Sequence, residues 1–359
     1  MANGHNNVKR IVRRVGEELR ATRAIAAETT WPEALNTLRA KLDIQIMSRN
    51  GFKEPPAVRA RLMRKHETLL KYMESRFGDF YNSYDYDGAL PPSDPLLEGK
   101  VWMCWWQGED KAPEIVRACI DSVRKNAGGH EVVVITDENV HQYVHIPKWV
   151  FDKVSDGVMS RTHLSDLLRL SLLAEHGGLW LDATFFCMGS LDQYMRMPLW
   201  TIKRPGYLHA SVAGGMFANY SLGCDSLNRR IFATVRDFYL NYWEQADFLI
   251  DYLLTDYLIV MVQRYDSGTA EAFALVEPNN PRCDDLQDLL NESFSQEVWN
   301  ELCYKTRLFK LTWKQAFRKV VAGGEKTFYG ALLDGNLSFN GSGAVNVGVS
   351  TRIQGCKYE

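Results

Sequence analysis

Apolar residues recur at helical spacing through the first third of the chain. Val8, Ile11, Val12, Val15 and Leu19 fall on one face, with Arg10, Arg13, Arg14, Arg20 and Arg23 around the others. That pattern predicts a basic amphipathic helix. A second helical stretch covers 32–47, and after Pro55-Pro56 a third covers 57–77. The segment 81–95 carries three prolines and reads as a linker. Beyond Lys100 the period changes. Residues 101–105 read as a strand, 113–126 as a helix, and 131–136 as a second strand ending at Asp137. Such alternation predicts an α/β fold with a parallel sheet and crossover helices, binding ligands at the carboxyl ends of the strands. Trp105, Asp137 and Asp182 would all stand near those ends. The division expected is an N-terminal helical region over 1–95 and an α/β domain over 96–359.

The densest chemistry lies at 160–184. Leu164, Leu167, Leu168, Leu172 and Leu173 recur at helical spacing, and Ser160 or Thr162 can cap the start. Asp166 and Arg169 are three apart and share a face. Gly177 suits the left-handed position that ends a helix, and Gly178 allows a close chain reversal. Leu179, Leu181 and Ala183 then alternate with Trp180, Asp182 and Thr184, which predicts a strand with Asp182 and Thr184 on one side. Taken singly, each feature has an ordinary explanation: a solvated ion pair, a turn, a chance Asp-x-Thr. Together, in this order, they frame a site for a metal, a ribose or a diphosphate, with Arg169 able to grip a phosphate. Asp251 lies in an otherwise apolar and aromatic run, 248–260, where a carboxylate is either paired or functional. We assign it to the ligand pocket; capping a helix or pairing with a Lys or Arg is the structural alternative.

Composition narrows the class. Apolar content of 46% and charged content of 24% are those of a globular protein. The seven cysteines include no C-x-x-C spacing, so zinc and redox motifs are unsupported and reduced thiols are expected. No G-x-G-x-x-G follows a strand, which argues against a dinucleotide-binding dehydrogenase. Residues 1–75 carry 15 Lys and Arg against 8 Asp and Glu, a surplus of +7, whereas the remainder carries −9. The basic helices either meet an anionic membrane or pack on the α/β domain with their arginines in water. The opening residues do not read as a secretory signal, and no apolar run is long enough to span a bilayer. A cytoplasmic protein is expected, peripheral at most to the inner face of the membrane, with no nucleic-acid partner.

The segment Ser165-Asp166-Leu167-Leu168-Arg169 and the run Gly177-Gly178-Leu179-Trp180-Leu181-Asp182-Ala183-Thr184 resemble the D-x-x-R and G-G-x-x-x-D-x-D signature of retaining glycosyltransferases of family 32 and the large clostridial glucosylating toxins. They are most similar to the capsular polysaccharide synthesis proteins of bacteria. Val101 to Gly108, Phe248 to Tyr252 with Asp256-Tyr257, and Phe309 to Lys314 resemble further segments of that family in the same order. The resemblance covers about 100–320. It implies a GT-A-type, Rossmann-like domain that binds a nucleotide sugar, UDP-hexose above all, and transfers the hexose with retention to a glycan acceptor, a lipid-linked capsular or exopolysaccharide repeat unit. It implies that Trp105 stacks on the uracil, with Asp137 and Gly178 beside the donor. Asp166 binds donor-sugar hydroxyls, and Arg169 the sugar or its phosphate. Asp182 is the first acid of a D-x-D-like motif, touching ribose and a divalent cation, Mn²⁺ or Mg²⁺. Asp182, Arg169 and Asp251 are the expected catalytic set. Thr184 replaces the second acid, which removes one charge and a strong oxygen ligand. Lys310 or Lys314 would help to offset charge on the leaving diphosphate. A sugar-phosphate transferase and a non-catalytic nucleotide-sugar-binding component remain open alternatives.

Overall fold

A computed structural model describes residues 2–337 of the chain, with side chains from Arg13 onward except Arg14. The side chains of Val8, Arg10, Ile11, Val12 and Arg14 of the predicted basic amphipathic helix, and Cys356, therefore lie outside the described residues. Three helices open the chain: α1 (Ala2–Glu28), α2 (Trp31–Arg49) and α3 (Pro56–Ser83). Thr30 starts α2, its hydroxyl accepting from the Glu33 amide at 3.4 Å, with Pro32 in the first turn where a missing N–H does no harm.

Then follow β1 (Val101–Cys104), α4 (Glu114–Asn126), β2 (Val132–Ile135), α5 (Lys148–Ser155), α6 (Arg161–His176), β3 (Gly178–Leu181) and β4 (Phe185–Cys187). The second half holds α7 (Asp192–Met195), β5 (Leu199–Thr201), β6 (Ser221–Cys224), α8 (Arg230–Gln245), α9 (Leu254–Tyr265) and α10 (Ser267–Leu275). It closes with α11 (Asp285–Leu289), α12 (Gln296–Leu302), β7 (Leu308–Lys310) and α13 (Phe328–Leu333). The α/β class expected from the alternation is the class observed.

The main sheet runs β2-β1-β3-β6-β5. β1 pairs in parallel with β2 and β3, as expected, but β6 and β5 join antiparallel. The sheet is therefore mixed rather than wholly parallel. The two added strands are short and reach their places through loops, so no βαβ pattern announces them. Side chains of β1 and β3 divide between two cores. Trp102 and Trp180 face the cluster built on α3, α6, α8 and α9, while Val101, Met103, Leu179 and Leu181 face α4 and the C-terminal elements. This is period-two alternation with both faces buried.

Ala21 and Ile25 of α1, Ala34 of α2, and Leu69, Met73 and Phe77 of α3 belong to the same apolar cluster as Tyr242 and Tyr257. The segment expected to be a linker begins inside α3. Tyr81 stacks on Phe238 with ring centroids 4.2 Å apart, Arg230 Nε donates to the Tyr86 carbonyl at 3.0 Å, and Arg229 Nη2 donates to that of Pro91 at 2.8 Å. The chain from α3 to β1 is thus laid along α8 by aromatic and backbone contacts rather than left as a spacer.

The α6-to-β3 joint follows the sequence closely. Ser160 caps α6, accepting from the His163 amide at 3.3 Å. Gly177 ends the helix at φ 69°, and Gly178 follows at φ 92°. A Cβ on Gly178 would stand 2.4 Å from the Lys100 carbonyl oxygen, so only glycine lets β3 lie this close to the start of β1.

Candidate active site

Three parallel strands end at one edge of the sheet, and Asp182 follows β3 there at once. β3 stops at Leu181, so Asp182 and Thr184 are not alternate residues of a strand as expected; a turn closed by the Phe185 amide on the Asp182 carbonyl, 3.0 Å, holds them instead. Asp166 and Arg169 reach this edge from α6. Asn219 and Tyr220 come from the loop before β6, Asp251 and Tyr252 from the loop before α9, and Asp256 from the first turn of α9. Together with Lys310 at the end of β7 they line a cavity of about 640 Å³. Lys41 and Lys65 of the N-terminal helices line it as well.

Arg169 is the centre of the charge arrangement. Its Nη2 lies 3.0 Å from Asp166 Oδ1 and 3.4 Å from Asp182 Oδ1, its Nη1 donates to the Asn219 carbonyl, and its face lies over Trp180. Burial opposes its charge, but Asp166, Asp182 and Asp256 outweigh burial and raise its pKa. The guanidinium is thus always charged and spans helix and strand end. Its buried Nε has no partner among the described residues. Asp182 Oδ1 also accepts from Trp180 Nε1 at 3.1 Å, and Asp182 Oδ2 lies 3.4 Å from Lys310 Nζ. Thr184 Oγ1 accepts from the same ammonium at 2.6 Å.

Asp251 and Asp256 both line the cavity, with different surroundings. The Asp251 carboxylate sits 2.9 Å from Lys65 Nζ, in a pair that is 1% and 4% exposed, and accepts from the Leu253 amide at 3.0 Å. Burial pushes its pKa up, but Lys65 and Lys41 pull harder and leave it below the usual range. The pairing alternative is therefore realised at Asp251. Asp256 accepts from Asn219 Nδ2 at 3.2 Å and has no ion pair among the described residues. Burial, with the nearby charge of Asp166, pushes its carboxyl up to about 7, Arg169 only partly opposing. A carboxyl that exchanges its proton near neutral pH, beside an Asp–Arg–Asp array, fits a functional cavity.

The remaining expected residues divide by place. Trp105 follows β1 at the same edge as Asp182, stands edge-on to Trp313 at 5.6 Å, and has a buried Nε1 without a partner among the described residues. Asp137 follows β2 and is bound to Arg161 at the start of α6. Neither lines the cavity around Arg169. Gly178 stands at the other end of β3 from Asp182, where its role is the close approach to Lys100. It belongs to the packing of the sheet rather than to the cluster around Arg169.

Asp256, Asn219 and Tyr252 gained no role from the sequence. For Asp256 the signal was present: it occupies the same apolar run as Asp251. Tyr252 is 64% exposed at the cavity, edge-on to His163, an open aromatic face. Asn219 lies in irregular chain and carried no signal. The six described cysteines, 104, 119, 187, 224, 283 and 303, are free thiols. Burial raises the pKa of each, so none is a poised nucleophile.

The fold and site define an α/β protein with a charged ligand cavity at the carboxyl ends of parallel strands. Residues 49–332 match the family model described as capsular polysaccharide synthesis protein, and the chain belongs to that family. Among solved structures it is similar to the PaToxG glycosyltransferase, at 14% identity over 58% of this chain and 83% of that one, with a TM-score of 0.36. It is also similar to the apo structure of the bifunctional glycosyltransferase WbbM, at 11% identity over 76% of this chain and 57% of that one, TM-score 0.38. The chain thus spans little more than half the length of WbbM. No curated protein matches it.

Proposed function

We propose that the protein is a retaining GT-A-type glycosyltransferase of capsule assembly. It moves a hexose from a nucleotide sugar, of UDP-hexose type, to a hydroxyl of a growing, lipid-linked repeat unit. The observation that carries this reading is the Asp166–Arg169–Asp182 array, with Asp166 and Arg169 buried and Asp182 partly open, held by a helix and a strand end against the cavity. Carboxylates fixed by a guanidinium are hydrogen-bond acceptors for sugar hydroxyls, and a cationic neighbour favours negative charge building on a leaving diphosphate. Asp166 and Asp182 take the hydroxyls of hexose and ribose. Trp105, with its unused Nε1–H beside Trp313, offers a face to the base. Tyr252 offers one to the acceptor sugar. In a front-face displacement the C1–O bond to the diphosphate breaks as the C1–O bond to the acceptor forms. The acceptor's proton passes to the departing phosphate oxygen, so no enzymic base or covalent intermediate is needed. Excluding water from the cavity once donor and acceptor are bound would favour transfer over hydrolysis.

A membrane-borne acceptor agrees with the outer helices. Val15 and Leu19 on α1 and Trp31, Leu35, Leu42 and Ile46 on α2 are exposed, whereas α2 buries the smaller Ala34, Thr37 and Ala40. No described helix is long and apolar enough to cross a membrane, so contact would be peripheral, in the interface plane.

The test is a panel of UDP-sugars scored for thermal stabilisation and for UDP release with acceptor lipid. At least one sugar should raise the melting temperature, since a ligand bound by the native state stabilises it. Asp182→Asn should lose both the shift and turnover, by about a hundredfold or more. Full activity in that variant would remove the site assignment, and a sugar-phosphate product would convert the reading to phosphoryl transfer.

A further inference from the structure

The cavity carries its own cation where a diphosphate-binding metal would be expected. We propose, resting on the glycosyl-transfer reading, that the Lys310 ammonium replaces a divalent metal as counter-charge to the leaving diphosphate, and that transfer needs no metal.

The position of Lys310 is set by backbone pairing. β7 runs antiparallel to β4 with Lys310 opposite Phe185, and the Leu311 amide donates to the Thr184 carbonyl at 3.0 Å. This brings Nζ to 2.6 Å from Thr184 Oγ1 and 3.4 Å from Asp182 Oδ2. The rings of Phe185 and Tyr220 collar the ammonium, with centroids 5.8 Å and 5.7 Å away. The stem is fixed, the charge is partly open to the cavity, and of its three N–H donors one is well used by Thr184.

The same atoms fail as a metal site. A hard divalent cation takes about six or more oxygen ligands, usually including carboxylates. The carboxylate beside Lys310 is that of Asp182, and Arg169 and Trp180 already engage its Oδ1. Thr184 supplies a hydroxyl in place of a second acid, and that hydroxyl is bound to the ammonium. Among the described residues no group of three His, Cys, Asp or Glu side chains could hold an ion. A metal between Asp182 Oδ2 and Thr184 Oγ1 would have to displace Lys310 or sit against a like charge. The lysine thus occupies the ground between Thr184 Oγ1 and Asp182 Oδ2 that an ion would need. The ammonium stabilises the charge that grows on the diphosphate as the C1–O bond breaks, as a fixed cation does for any developing oxyanion.

The experiment uses the full chain with the best UDP-sugar from the panel and its acceptor lipid, after chelation with EDTA. Turnover should match that in added Mn²⁺ within about twofold. Manganese electron paramagnetic resonance should show no ion retained by protein plus UDP. Lys310→Ala should lower kcat a hundredfold or more with a smaller change in KM, and Lys310→Arg should recover part of it. The double variant Thr184→Asp with Lys310→Ala should retain Mn²⁺ in the presence of UDP. Native enzyme that is inactive after EDTA and restored by Mn²⁺ overturns the proposal while leaving glycosyl transfer intact. So does a Lys310→Ala variant with native kcat. Failure to bind or turn over any UDP-sugar under either condition removes the glycosyl-transfer reading, and the proposal falls with it.

Discussion

Asp251 and Asp256 are five residues apart in one apolar run, both buried and both at the cavity, yet they are opposite cases. Asp251, in the loop before α9, meets Lys65 and a backbone amide and is held ionised. Asp256, a turn and a half later, meets an amide side chain and a neighbouring carboxylate, and its proton is held to about pH 7. A buried charge must be paired or neutralised. The first aspartate ties the N-terminal helices to the α/β core; the second keeps a protonatable group beside Arg169. The contrast separates a carboxylate whose electrostatics are satisfied from one that the fold leaves strained.

The largest effect should come from unpairing Asp251. Lys65→Met leaves a buried carboxylate without its cation and should destabilise the fold by roughly 3–5 kcal/mol. Adding Asp251→Asn should return most of that loss, as read from urea midpoints. A loss below about 1 kcal/mol in the single variant would mean that the pair does not hold the helices.

Asp256→Asn should act in the other direction and depend on pH. The folded-state pKa is raised above the unfolded value, so the stabilising contribution of the carboxyl is complete below about pH 4 and is lost as pH rises through about 7. The asparagine variant should therefore match the native protein near pH 4 and exceed it by roughly 1–3 kcal/mol at pH 8. A stability difference flat between pH 4 and 8 would return Asp256 to the same class as Asp251. Smallest of the three, Tyr252→Ala should raise the acceptor KM about threefold to tenfold with donor binding unchanged, the loss of one stacking face. Equal changes in donor and acceptor constants would place Tyr252 elsewhere.

Much of the site was legible because its parts are local. The leucine period of α6, the cap at Ser160, the paired glycines and the acid after β3 all lie within 25 consecutive residues, and each is governed by neighbours in sequence. Strands β1 and β2 and helix α4 were legible for the same reason. What escaped is long-range. The antiparallel pairing of β6 and β5 joins strands of four and three residues with no period of their own. Lys310 meets Thr184 across 126 positions of sequence, so the motif around Lys310 marked a candidate and only the β4–β7 ladder placed it. The choice between Asp251 and Asp256 turned on Lys65, a residue of α3 that the run itself could not supply.

That ladder also orders events as the chain is made. Synthesis delivers α6, β3 and β4 long before β7, and domains begin to fold from the N-terminal side. A chain cut short before Lys310 carries the residues of the Asp166–Arg169–Asp182 array without their lysine. Such a half-built pocket carries carboxylates without their full counter-charge and would repel an anionic donor. On the glycosyl-transfer reading, donor binding would then depend on the last quarter of the chain being paired against its middle.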